Sequence, residues 1–510
     1  MGNWKNSFKA FLNPRVVTML FFGFSAGIPL LLIFSSLGLW LREAGVERSA
    51  VTFFSWAALG YSFKFVWAPI ADKLPLPFLT YRLGRRRGWI LLSQTAIIIS
   101  ILLMASIDPS HGESYLKTMA IACVMLGFSA ATQDIVIDAY RIESASSEFQ
   151  ALMSATYIAG YRIGMLVSGA GSLYIASSLG SEMGSYDYRA WQVTYSCMAA
   201  VMIIGIITTF CIDEPEKNKI TEYKYSNITY IKFLLVFILA VVGFIITFHL
   251  SSEFNSSWKN ILAEVLNNKI FSSFCVESFR LFLGMLIFLS IILIFIRFKF
   301  IEKKIIVESY VAPVLDFFQR YGIKFAILLL VLIGLYRISD IVLGVISNIF
   351  FQDLGYSKKE IASVVKSFGL LMTILGGFLG GILSIRFGVM KILFLGGLLT
   401  VLTNLLFMLL AVKGYNIQLL YLVISADNLS AGIASAAFLA FLSRLTNTSF
   451  TAMQYAIFSS LMTLFPKVLG GYSGSIVENI GYTNFFLFAS LLGIPVLGVI
   501  YLANKNFKIE

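Results

Sequence analysis

The sequence predicts an all-α polytopic membrane protein, two bundles of six helices with about two extra transmembrane helices between them. Three observations carry this. The 510-residue chain is 58% hydrophobic and only 13% charged, more apolar than a soluble domain of ordinary composition. Apolar segments of roughly 20 residues, the length of a bilayer helix, recur from end to end. The polar stretches between them are too short to form a separate catalytic domain.

Six spans fall near 16–40, 50–71, 89–107, 116–141, 150–178 and 190–212, two more near 229–250 and 279–297, and six near 322–352, 360–385, 389–412, 415–443, 450–476 and 482–503. The first lacks a small-residue cleavage site behind it and reads as a retained span. With the N-terminus in the cytoplasm, inside loops collect about 23 Lys and Arg and outside loops about 10, which satisfies the positive-inside rule and puts both termini inside. The net charge of +12 is thereby a matter of topology. No basic patch with stacking aromatics appears, so nucleic acid is not an expected partner. Cys123, Cys197, Cys211 and Cys275 show no C-x-x-C spacing, and His111 and His249 are the only histidines. Neither a metal site nor a cofactor is expected. No H-E-x-x-H, G-x-S-x-G or phosphate-binding glycine loop appears, so the chain does not read as an enzyme.

The chain divides into 1–215, 216–310 and 311–510, the first and last being the six-span halves. The halves echo each other. "APIADKLPLPFLTYRLGRRRGW" follows the second span, and "GGILSIRFGVMK" stands at the matching place in the second half. "GYRIGMLVSGAGS" in the fifth span has "PKVLGGYSGS" as its counterpart, and glycine-rich helices suit close packing at a moving interface. Parallel six-span halves are the major facilitator architecture. Asp72, Lys73 and "GRRR" resemble that superfamily's loop signature, split here by the insert "LPLPFLTYRL". The segment 251–278 between the two extra spans carries no motif and reads as a loop.

"FGFSAGIPLLL", "LREAGV", "GRRRGW", "TQDIVIDAYRIE", "YRISDIVLGVISNIFFQDLGYSKKEIA", "SFGLLMTILGGFLGG", "ADNLSAGIASAAFLAFL" and "QYAIFSSLM" together resemble the AmpG-type muropeptide permeases. The resemblance implies a monomeric bacterial inner-membrane carrier importing anhydromuropeptides, sugar–peptide fragments of the cell wall, with protons. An acetyl-coenzyme A transporter family is similar in the first half and gives the alternative substrate class.

The charges inside the membrane are the candidate working groups. A carboxylate at the bilayer centre costs on the order of 3 kcal/mol, so such residues face water or a partner. Asp134, Asp138 and Arg141 share one helix face. Asp138 and Arg141 can pair; Asp134, a turn deeper, is less compensated and is the first candidate for proton coupling, with Asp138 the second. Arg141 serves equally as a gating or helix-end ion pair, and Asp72, Arg85, Arg86 and Arg87 make a latch at the inner end. A muropeptide presents carboxylates, hydroxyls and sugar rings, which call for cations, amides and aromatic faces. Arg162, Arg337 and Lys366 supply the cations, Gln133, Asn428 and Gln454 the amides, and Tyr140 and Tyr336 the rings. Asp340 and Asp427 complete the set, although Arg337 and Asp340 are also spaced for a local pair.

Overall fold

Hydrocarbon offers the backbone no hydrogen-bond partners, so spanning segments satisfy their own N–H and C=O groups as helices. The computed structural model describes residues 12–46, 61, 63–146, 149–182, 184–215, 225–266, 269–470 and 473–506. Among these the main elements are α1 (Pro14–Ile33), α2 (Arg85–Ala105), α3 (Glu113–Ser144), α4 (Gln150–Leu166), α5 (Tyr188–Val201), α6 (Asn227–Leu266), α7 (Lys269–Arg297), α8 (Ile323–Leu335), α9 (Ile338–Asp353), α10 (Gly369–Phe387), α11 (Val389–Lys413), α12 (Ile417–Leu445), α13 (Thr451–Gly470) and α14 (Ser473–Asn506). Eleven helices among the described residues are long and apolar enough to cross a membrane. The span expected at 50–71 lies largely outside the described residues. The span at 150–178 is α4, a π-helical turn at Val167–Gly171 and a last helix Ser172–Ser178, and the span at 450–476 is represented by α13.

The chain forms two units. One comprises Met1–Asp72, Leu76–Ile220 and Asp316–Glu510; the other comprises Lys73–Pro75 and Thr221–Leu315. In the second unit, α6 and α7 pack along each other, with Phe237 set edge-on to Phe288, the ring centroids 6.0 Å apart. The segment expected as a loop at 251–278 is instead helical on both sides of 267–268. Falling hydropathy marks the end of the apolar stretch, not the end of the helix, and the segment holds no Gly or Pro to stop one. At 40 residues, α6 is about 60 Å long, twice the roughly 30 Å hydrocarbon core.

In the first unit α1 starts on a cap. Asn13 Oδ1 accepts the Arg15 N–H at 3.0 Å, and Pro14 opens the helix where a missing donor costs nothing. The α1–α4 crossing depends on glycine. A Cβ on Gly160 would stand 1.9 Å from the Leu20 carbonyl oxygen, and one on Gly23 would stand 2.0 Å from that of Tyr157. Only hydrogen fits, so the two backbones touch. Gly160→Val is expected to separate them and lower the unfolding midpoint of detergent-purified protein by several degrees, against no change for Gly344→Ala, where nothing stands near a Cβ. The two halves meet where α4 packs on α10 and α12, and where α3 packs on α13.

Candidate transport site

At one end of the halves a group of buried charges bridges them. Asp72 ends the short helix Ala68–Lys73. Its Oδ1 accepts from Arg86 Nη2 at 2.8 Å and from the Ala452 N–H at 3.2 Å, while Oδ2 accepts from the Met453 N–H at 2.9 Å. A carboxylate of the first half therefore caps the N-terminus of α13 in the second, where unpaired N–H groups and the helix dipole favour an anion. Arg86, with no exposed surface, also donates to Glu143 through Nη2 and Nε at 2.6 and 3.0 Å. Arg85 Nη1 donates to the Asp72 carbonyl at 2.7 Å, and Arg87 donates to the carbonyls of Thr209 and Phe210 at 3.2 and 3.3 Å. Glu214 accepts the N–H groups of Arg86 and Arg87 at 2.8 and 3.0 Å, capping α2. Burial pushes its carboxyl up from the usual range, against the pull of those two N–H bonds.

One turn away, Arg141 makes the second bridge. Also fully buried, it donates through Nη1 to Gln150, Ser154 and, across the halves, Ser443 Oγ at 2.8 Å. Its Nη2 meets Asp138 at 3.2 Å, and its guanidinium lies 5.2 Å from the centroid of the Tyr455 ring. Lys64 stands 3.9 Å from the other Asp138 oxygen, so Asp138 lies between two cations. Asp134 differs. Its Oδ1 accepts the Tyr157 hydroxyl at 3.1 Å, and no ion pair joins it among the described residues.

The second feature is a cavity of about 230 Å³ in which Arg162 of the first half faces Asp340, Lys366, Asp427 and Asn428 of the second. Arg162 sits a turn before the π-helical turn Val167–Gly171, and Lys366 lies within a π-helical stretch, Ile361–Phe368. Such distortions turn side chains out of the ordinary helical register. Arg162 and Lys366 are both exposed. Arg337 pairs with Asp340 at 2.5 Å. Among the described residues Asp427 accepts one long bond, 3.4 Å, from the Thr403 hydroxyl, and Asn428 is held by Thr373 at 2.9 Å and by the Ile424 carbonyl.

Four residues expected to contact substrate lie elsewhere. Gln133 is buried against α1, donating to Ser25 Oγ at 2.9 Å. Tyr140 lines a separate recess of about 850 Å³ beside the Asp72 cluster, together with Arg15 and Glu143. Tyr336 is buried, its hydroxyl donating to the Leu393 carbonyl at 3.0 Å and its ring stacked on Phe438. Gln454 completes a cluster with Asp316 and Arg320, at 2.8 and 3.0 Å. Tyr336 and Gln454 thus direct their polar groups to protein partners, and Gln133 its amide N–H to Ser25. Ser443 and the N–H groups of Ala452 and Met453 escaped sequence reading. A backbone donor carries no residue signature, and Ser443 becomes a partner only through a contact 302 residues away in sequence.

Membrane-length helices whose two halves are bonded through buried charges are a carrier's build, and the sequence places this one. The Major Facilitator Superfamily model matches residues 15–339 and 328–509, and the chain belongs to that superfamily. Curated relatives within it carry the name the sequence resembles. The chain is 29% identical to "Putative transporter AmpG 4" of Rickettsia conorii over 98% of its length and 99% of the relative's. It is 27% identical to the "Anhydromuropeptide permease" of Escherichia coli K12 over 98% and 82%. A solved structure of the proton:xylose symporter XylE bound to 6-bromo-6-deoxy-D-glucose superposes with a TM-score of 0.59 at 12% identity, covering 98% of this chain and 96% of that one, a likeness of fold.

Proposed function

We infer that this chain imports anhydromuropeptides into the bacterial cytoplasm by proton symport and alternating access. The observation that carries the reading is the arrangement of charge between the halves. At one end Asp72 and Arg141 bond the halves together. Towards the other, cations from both halves face one cavity. The arginine-rich loop at the Asp72 end is cytoplasmic by the positive-inside rule, so the bonded end is the inner gate and the cavity opens to the outside. The halves 1–215 and 311–510 then rock about the site, with both termini inside and 216–310 as an accessory pair of spans.

Substrate carboxylates are the natural counter-ions for Arg162 and Lys366, and Asn428 offers an amide at the cavity wall. Arg162→Gln is expected to raise the KM for uptake about tenfold to a hundredfold with a smaller effect on kcat, because a charge-assisted hydrogen bond is worth about 1.5–3 kcal/mol. The deciding experiment is uptake of labelled anhydromuropeptide into proteoliposomes with and without an inward proton gradient. Gradient-driven uptake supports the reading. Absence of uptake by well-folded protein, with transport of an acyl-coenzyme A instead, would replace the substrate class.

A further inference from the structure

We propose that Asp427 is a second proton-carrying carboxylate, the counterpart in the second half of Asp134 in the first; this rests on the proton-symport reading. The two residues occupy comparable settings. Asp134 lies on α3 and Asp427 on α12, the fourth helix of each half in the six-and-six arrangement. Each accepts a hydroxyl from a neighbouring helix, Tyr157 at 3.1 Å and Thr403 at 3.4 Å. Neither has a cation within ion-pair distance among the described residues, whereas every other carboxylate at the site is held. Asp72 is held by Arg86, Asp138 by Arg141 and Lys64, and Asp340 by Arg337.

The surroundings of Asp427 leave it the less compensated of the two. Asp134 stands in the field of Lys64 as well as that of Asp138. Asp427 shares its cavity with the like-charged Asp340. The other charged groups that line the cavity are Arg162 from α4 and Lys366 from the π-helical stretch, while Arg337 pairs with Asp340. α11 contributes the Thr403 hydroxyl, α10 contributes Thr373, which binds Asn428, and among the described residues none of α13 lines the cavity. A carboxylate that shares a cavity within the membrane-spanning helices with another carboxylate holds its charge at a cost, which a proton removes. A cavity proton taken by Asp427 leaves Arg162 and Lys366 as the charges a substrate carboxylate meets. Loading the proton and the anion at one wall then links the two.

The test is the equilibrium accumulation ratio of labelled anhydromuropeptide in proteoliposomes across a series of pH gradients, with membrane potential clamped at zero. Each coupled proton multiplies the ratio about tenfold per pH unit. Two carrier carboxylates therefore predict about a hundredfold per unit for the wild type and about tenfold for Asp427→Asn. A wild-type ratio of about tenfold per unit would preserve proton symport and overturn this inference. A ratio independent of the gradient would overturn both. A ratio of about a hundredfold in both wild type and Asp427→Asn would remove Asp427 from the pathway. If Asp427→Asn does not reconstitute, Asp427→Glu, which displaces the carboxyl by one methylene, is expected to move the pH of half-maximal uptake. An unchanged pH profile would overturn the assignment.

Discussion

Arg86→Ala is expected to destabilise the protein by about 3–5 kcal/mol, the cost of removing one partner from a buried ion cluster. Arg86 has no exposed surface and holds two carboxylates, Asp72 at 2.8 Å and Glu143 at 2.6 Å. Alanine leaves both anions facing each other without the guanidinium between them, and Asp72 alone to hold the N-terminus of α13. Two readouts separate the consequences. The unfolding midpoint of detergent-purified protein should fall well below that of the wild type, and a cysteine placed at the inner end should react faster with a membrane-impermeant thiol reagent from that side. Arg86→Lys should recover part of the midpoint, because an ammonium keeps the charge but cannot make the two-pronged bond to Glu143. A midpoint within a degree of the wild type for Arg86→Ala would show that the cluster contributes little to holding the fold.

Asp134→Asn is expected to cut gradient-driven accumulation from about a hundredfold to about tenfold per pH unit while leaving substrate exchange at equal pH largely intact. Asparagine keeps the shape and can still accept the Tyr157 hydroxyl bond of 3.1 Å, so the packing of α3 against α4 need not change. What it lacks is a proton to gain and lose. A neutral group also costs less to move through a low-dielectric interior, so reorientation itself should be no slower. The paired assay of uptake with a gradient and counterflow without one reads the two steps apart. Accumulation at the full wild-type ratio in the variant would return Asp134 to a structural role.

Much of the architecture is legible in hydropathy, because the bilayer demands long apolar helices. The pairs Asp138–Arg141 and Arg337–Asp340 are legible too, since three-residue spacing on a helix brings side chains together whatever the fold. Long-range geometry was the limit. Gln133, Tyr336 and Gln454 look identical in sequence whether they face a ligand or a neighbour, and the fold gives each a neighbour. Asp72 could be suspected from its loop signature, but its acceptance of two main-chain N–H groups on α13 could not. The helical continuation of α6 beyond its apolar stretch was missed because hydropathy reports the solvent around a helix rather than its length.

That continuation has a practical consequence. Membrane carriers of this size offer electron imaging few features outside the detergent or lipid belt, and their projections are hard to align. A helix about 60 Å long, exceeding the hydrocarbon thickness by about 30 Å, supplies a visible rod on one membrane face. Its exposed Trp258 and Ile261 offer an epitope for an antibody fragment raised against the tip. Such a fragment would serve as a fiducial.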